Sequence, residues 1–508
     1  MAPEAGSHDR LFVATAAYLL APNVIFLLGW LSPAWGIPAT VLVAACFADL
    51  WRRATTRSAP LGRSEWVFAA TFALALTLVA GVGHVNLQVV DYVKHNLVFH
   101  DLVEHRWPVT YPNLGAGGSL LCYYTAYYLP ASLAGKLFGL AWTEPASLLW
   151  ALAGVTLALA WVVRLGRPAG RAVLAVFVFV DGFAWVPGLY AAAQRFGLLP
   201  GGVRGPWWET GGFTENFARF GKPPVFLLFE SEPWHLLWVP QHTIAAWLVT
   251  VCILRVLDEG ESPRHLGLVA AAVLLWSPFV AVGVLPFLAM AALRGRREAL
   301  AWPGVAGGLA LAVPVGLYIL GHSSYQNLGL LPARFSGPWD WLRYAVFLAG
   351  SVGVLAAAVA LVRRRFGTPA GREWRTFLVA ASWLVLTTVI VMGYYDDWVM
   401  RVSMPALVVF RLTVARLVIE LWRRGGALLP RLAFAAVVLL SAERPLKTTV
   451  LAAAGRLQTQ QDGTTIATAT RAAPSLGELR GGSGWEYGAQ YLGPTTSWFG
   501  RHMAKPEP

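Results

Sequence analysis

The chain has 508 residues, 56% of them hydrophobic and only 13% charged, and a net charge of +13. A soluble domain carries about a quarter charged residues, so an ordinary soluble enzyme is excluded. Nucleic-acid binding is excluded too, because the arginines stand in short clusters between apolar runs and form no free basic stripe. What is left is an all-α, polytopic integral membrane protein.

Apolar segments run over residues 11–30, 37–50, 65–83, 145–163, 172–188, 234–256, 266–293, 302–320, 341–362, 376–393, 403–421 and 431–442. A bilayer is crossed by roughly 20 helical residues. The polar start MAPEAGSHDR has no convincing small-residue cleavage site after it, so the first segment reads as a retained span. Arg52, Arg53, Arg57 and Arg63 put the second connection in the cytoplasm. The third span then runs outward and delivers a polar stretch, Gln88 to Asn113, to the outside.

The next apolar segment, 119–139, reads SLLCYYTAYYLPASLAGKLFG. If it spanned, Arg164, Arg167 and Arg171 would lie outside, against the positive-inside rule. Its paired tyrosines (Tyr123, Tyr124, Tyr127, Tyr128) and Pro130 suit an interfacial or re-entrant segment. Residues 85–144 are then one large outer loop. The run 266–293 has arginines on both flanks and reads as a hairpin of two short helices turning near Trp276-Ser277-Pro278. The total is about 13 transmembrane helices. Residues 1–64 hold two spans and a cytoplasmic loop. Residues 65–442 form the main membrane domain, with outer loops 85–144 and 189–233. Residues 443–508 form an extracytoplasmic tail, partly ordered. Cys46, Cys122 and Cys252 lie far apart in apolar surroundings and read as core residues.

Apart from arginine, most of the dense polar material falls on the outer side. In the first outer loop Asp91, Lys94 and His95 stand at i, i+3 and i+4 of a helix, with Asp101 two turns beyond Lys94. Such a stripe is either an active site beside the membrane or a solvated face knitted by ion pairs. Asp181, near the outer end of an apolar span, is either functional or structurally paired. Gln241 and His242 lie about two turns below the outer interface, where a histidine is either a core residue or a ligand group. Asp397 and Arg401 stand at an outer helix end, and Arg401 either grips a phosphate or pairs with Asp397 at i+4. There is no P-loop, no Rossmann glycine motif before a helix, no HExxH and no GxSxG.

An outward span, an Asp-bearing outer loop, the tyrosine-rich LCYYTAYYLPASLAGKLFG and then many spans with short hairpins resemble the GT-C superfamily of membrane glycosyltransferases. The resemblance covers roughly residues 65–420. It implies a sugar donor carried on polyprenyl phosphate, an acceptor lipid or glycan of the cell envelope, and inversion at the anomeric carbon. By resemblance Asp91 is the general base, with Lys94, His95 or Arg401 neutralising the departing phosphate. Asp101 or a loop glutamate would assist a divalent metal such as Mg or Mn, if one is used. Two extra N-terminal spans and the D-x9-D spacing depart from the family pattern. The Ala/Arg/Gly-rich bias points to a bacterial inner membrane. The competing readings are a lipid or polysaccharide transporter or flippase, which predicts mid-membrane charges at Asp181 and His242, an envelope polysaccharide polymerase or ligase, and a non-catalytic scaffold.

Overall fold

The computed structural model describes residues 7–114, 117–183, 218–222, 225–322, 328–369, 371–393, 397–457, 460–461, 465–466, 473, 475–478 and 491–506. Among them the protein is built of helices, with only strands of two or three residues. Among the described residues six helices are long and apolar enough to cross a membrane: Arg10–Trp30, Pro33–Arg53, Leu140–Leu165, Pro240–Leu257, Trp302–Leu320 and Pro338–Phe366. Their outward faces carry leucine, valine and tryptophan, among them Val41, Leu149 and Leu309. In water such surface drives aggregation; in lipid it is solvated. The chain is therefore an all-α membrane protein.

The chain forms two compact units that cut across the divisions expected from sequence. One comprises residues 1–161, 236–324 and 452–508, the other 162–235 and 325–451.

In the first unit, helix α1 (Arg10–Trp30) is capped by Asp9, whose carboxylate accepts from the Phe12 amide at 3.3 Å. A short strand β1 (Ser7–His8) pairs with β2 (Thr55–Thr56), just after helix α2 (Pro33–Arg53). Asp9 also holds Arg255 at 2.7 Å, and Asp49 holds Arg264 and His265 at 3.0 and 2.9 Å. The basic connections that the sequence puts on one side of the membrane thus meet at one end of this unit. Helix α3 (Arg63–Val79) leads to the other end. There β3 (Gln88–Val89) opens helix α4 (Tyr92–Glu104), and β4 (Thr110–Tyr111) and β5 (Ser119–Leu121) follow.

The polar tail is a partner of this loop. Its strand Leu492–Pro494 extends the β4–β5 pair to three strands, and Gln460–Gln461 pairs with β3. Lys505 donates its amide to the carbonyl of Trp30 at 2.8 Å. Among the described residues the tail is therefore stitched to residues 88–121 at several points, where sequence suggested an appendage.

Residues 119–139 contain helix α5 (Leu129–Phe138), ten residues long, about 15 Å at helical rise and too short to cross alone. Helix α6 (Thr143–Leu165) follows. The expected span 234–256 is two helices, Glu232–Trp238 and Pro240–Leu257, divided at a proline. The run 266–293 breaks at the expected place. Helix Leu266–Ala272 stops short of Ser277, whose hydroxyl caps Pro278–Gly283, and Leu285–Arg294 completes it.

In the second unit, helix α7 (Gly170–Phe179) ends two residues before Asp181. The long helix Pro338–Phe366 widens to a π turn at Ala349–Gly353. That turn frees the Gly350 carbonyl, which accepts from the Phe183 amide at 3.0 Å.

Candidate functional site

Strand β3 pairs with the tail and then stops, which leaves Asp91 at the N-cap of α4. Its carboxylate accepts from Lys94 Nζ at 3.0 Å. The lysine side chain is only 9% exposed and the aspartate side chain 34%. An ammonium tucked under cover thus holds a carboxylate that still faces outward.

His95 does not share that face. It is buried, its Nδ1 lies 2.5 Å from the Tyr128 hydroxyl and its Nε2 lies 3.2 Å from the Trp238 carbonyl. A carbonyl only accepts, so the neutral ring carries its hydrogen on Nε2 and takes the phenol hydrogen at Nδ1. The expected stripe of Asp91, Lys94 and His95 therefore separates into an outward pair and an inward histidine.

The tyrosines are likewise core, not interface anchors. Tyr123, Tyr127 and Tyr128 are buried, and Tyr124 is half-buried. Burial pushes the Tyr128 phenol well above its ordinary range. The rings of Tyr123 and Tyr124 lie 3.8 Å apart, and Tyr124 lies 4.6 Å from His242. His242 in turn sits 2.7 Å from Ser277 Oγ, the cap that ends the hairpin break. Gln241 is fully buried beside it, and among the described residues neither end of its amide meets a partner. These two residues lie inside the first unit's core rather than on an open face.

Asp101 is fully buried. Its Oδ2 accepts from the Tyr111 hydroxyl at 2.6 Å and from the Leu476 amide at 2.9 Å, and His100 Nδ1 lies 3.2 Å from Oδ1. Ten helical residues put it about 15 Å along the axis from Asp91. The two aspartates therefore do not form one site, and they do not fit a shared divalent metal. Among the described residues no three His, Cys, Asp or Glu side chains are grouped to hold a metal ion. Asp101 ties the tail to the loop.

In the second unit Asp181 is sealed in an ion-pair network. Arg411 reaches Asp181 at 2.7 Å and Glu232 at 2.8 Å, while Arg444 reaches Asp181 at 2.6 Å and Glu230 at 3.1 Å. All five side chains are buried. Burial raises the Glu230 carboxyl above its ordinary value. His235 is buried beside this network. Asp181 thus has the basic partners that an acid in an apolar segment demands. Arg401 lies 2.9 Å from Asp397 one helical turn away, and the aspartate side chain is 32% exposed.

Sequence reasoning passed over Arg411 and Arg444. The signal was there for Arg411, which stands alone among VVFRLTV in the middle of an apolar run. A guanidinium inside an apolar run demands acidic partners, and Asp181 was one waiting for a base. The loop residues Glu209, Glu215 and Asn216 and the aromatics Trp485 and Tyr487 lie outside the described residues, as does Asp396.

No protein-family model matches the chain, and no curated protein matches it by sequence.

Proposed function

We propose that the protein is a glycosyltransferase of about 13 spans. It acts on the extracytoplasmic face of a bacterial inner membrane and transfers a sugar from polyprenyl phosphate to an envelope lipid or glycan. One observation carries the reading. Of the four aspartates singled out by sequence, Asp101 and Asp181 are sealed while Asp91 and Asp397 each keep about a third of the side chain exposed, and of these two Asp91 stands where the resemblance puts the general base. A general base must reach the proton that it removes, and sealed acids do not.

In the proposed step the acceptor hydroxyl oxygen forms a bond to the anomeric carbon. The carbon–oxygen bond to phosphate breaks, and polyprenyl phosphate leaves with the bonding electrons. Asp91 takes the hydroxyl proton. Lys94, 3.0 Å away, stabilises the charged carboxylate before transfer and offers its charge to the leaving phosphate as the carboxylate is neutralised. No step is routed through a metal.

The test is genetic and chemical. Delete the gene in its host, profile envelope glycolipids and polysaccharides by mass spectrometry, and complement with the wild type and with Asp91→Asn at equal membrane levels. A missing sugar restored only by the wild type supports the reading and names the product. Full restoration by Asp91→Asn sinks it.

The buried charges around Asp181 favour a second reading, a transporter. Buried intramembrane charge is more often part of a pathway than of a surface site. It predicts that Asp181→Asn abolishes function at unchanged protein level while Asp91→Asn leaves it intact.

A further inference from the structure

In the second unit, residues 363–375 and 416–431 carry nine arginines and only two acids, Glu373 and Glu420. The comparable connections of the first unit, residues 49–65, 255–264 and 294–298, also carry nine arginines, but with six acids. Those acids are put to use. Asp49 holds Arg53 and Arg264, and Glu261 joins Asp9 around Arg255. The positive-inside rule accounts for arginines in both places. It does not account for the shortage of acids in one of them.

The fold gathers this second set at one end of its unit. Helix Pro338–Phe366 finishes in Arg363, Arg364 and Arg365, and Gly367, at a φ of 70°, stops it in the left-handed conformation. The chain turns back into helix Gly371–Thr387, which packs along helix Met404–Arg424. Thr368 Oγ1 donates to Glu420 Oε2 at 2.8 Å, and Arg416 donates to Glu373 at 2.9 Å. Arg424 also pairs with Glu420, so both acids are taken. Arg363 lies 5.0 Å over the Trp374 ring, and Arg431 lies 5.3 Å over the Trp422 ring. Arg364, Arg365, Arg372, Arg375 and Arg423 are exposed and, among the described residues, pair with no acid. Arg372 stands on the first turn of its helix, where the backbone dipole disfavours a cation, and Arg375 follows at i+3 on the same face. A bound anion would offset both the dipole and the crowding of like charge. Trp422, Leu428 and Leu429 are exposed next to Arg423 and Arg431 in the chain, Leu429 by 77%.

We propose that this end of the second unit binds the headgroups of anionic phospholipids in the leaflet toward which its arginines orient it, the cytoplasmic one. The free guanidiniums take phosphate oxygens in pairs. Trp422, Leu428 and Leu429 meet the glycerol and the upper acyl chains. An acidic soluble partner would satisfy the arginines and leave the leucines in water, so the apolar rim favours lipid. The proposal is independent of the chemistry at Asp91.

The full-length protein is delipidated in detergent and titrated with phosphatidylglycerol or phosphatidylcholine, and bound lipids are counted by native mass spectrometry. Phosphatidylglycerol is retained in preference. The preference shrinks as salt rises from about 0.15 M to about 1 M and the screening length falls from about 8 Å to about 3 Å. Arg372→Gln and Arg375→Gln each weaken retention about fivefold, the effect of one cation at an anionic lipid surface. Replacing Arg364, Arg365, Arg372 and Arg375 together by Gln abolishes the preference, and replacing the same four by Lys keeps it. Detergent melts check that each variant folds, and where the fourfold Gln variant does not, the single variants carry the test. Arg52→Gln with Arg63→Gln, in the first unit, leaves the preference intact. If the two lipids bind alike, or if the Gln variants bind like the wild type, the proposal fails. It fails too if the first-unit pair lowers retention as far as the fourfold variant does, since total charge then decides. If polyglutamate binds through the four arginines and phosphatidylglycerol does not, the face docks an acidic protein segment, and the lipid proposal is overturned.

Discussion

In the first unit one carboxylate meets one ammonium with a third of the acid's side chain still open. In the second, three carboxylates and two guanidiniums lie in a sealed cluster. Both are acid–base pairs on a membrane protein, and a residue count would rank the second higher as a site. Exposure reverses the ranking. A buried pair is fixed by desolvation: removing either partner strands the other without water, so the pair holds the fold but has no free valence for a substrate. A half-open pair contributes little to stability and keeps its chemistry available. The lesson is that intramembrane charge locates something important, while the solvent on one side decides whether it is a lock or a tool.

The sharpest break of this comparison is a paired substitution. Asp91→Asn is expected to lower transfer by about 10²- to 10⁴-fold, the contribution of a general base, with a melting temperature close to the wild type's. Arg411→Ala is expected to do the opposite. It leaves Asp181 and Glu232 each short of a partner and destabilises the protein by about 3–5 kcal/mol, read as loss of folded protein in a detergent melt. If Arg411→Ala melts normally and loses function, the sealed cluster is the tool and the comparison is inverted.

How much of this was legible follows from what sequence periodicity encodes. The helix Trp302–Leu320 matches its apolar run residue for residue, and the break at Ser277 was readable from arginines on both flanks and a Ser-Pro pair. These are one-dimensional signals. For Arg401 sequence offered two alternatives, and the i+4 spacing accounts for the contact with Asp397 that one of them named. What failed was depth. The YY…YY motif has the composition of an interface belt, and only packing reveals that three of its rings are buried against His95 and one another. The tail was misjudged for a related reason. Its strands are two or three residues long and pair with residues some 370 positions away, and a strand that short has no period to read.

That tail suggests a smaller prediction. Asp101→Ala removes the acceptor for Tyr111 and the Leu476 amide, and each buried donor left unmet costs about 1–3 kcal/mol. The expected readout is faster amide exchange at Leu492–Pro494 and β5, and earlier protease cleavage of the tail, while the helical core keeps its protection. If Asp101→Ala leaves the tail protected and abolishes transfer, Asp101 belongs to the chemistry after all.

The smallest effect concerns a proton in the sealed cluster. Burial raises the Glu230 carboxyl above its ordinary 4.5. A group with a raised folded pKa keeps its proton longer in the fold than in the unfolded chain, so its contribution to stability is complete below the unfolded value and is lost as the pH rises through the folded one. Glu230→Gln, which cannot titrate, should remove that slope above about pH 4.5, with a limit of about 1.4 kcal/mol per pH unit for one proton. Melts of the variant and the wild type from about pH 4.5 upward decide it. If the variant keeps the wild-type profile, this buried carboxyl does not set the protein's response to pH.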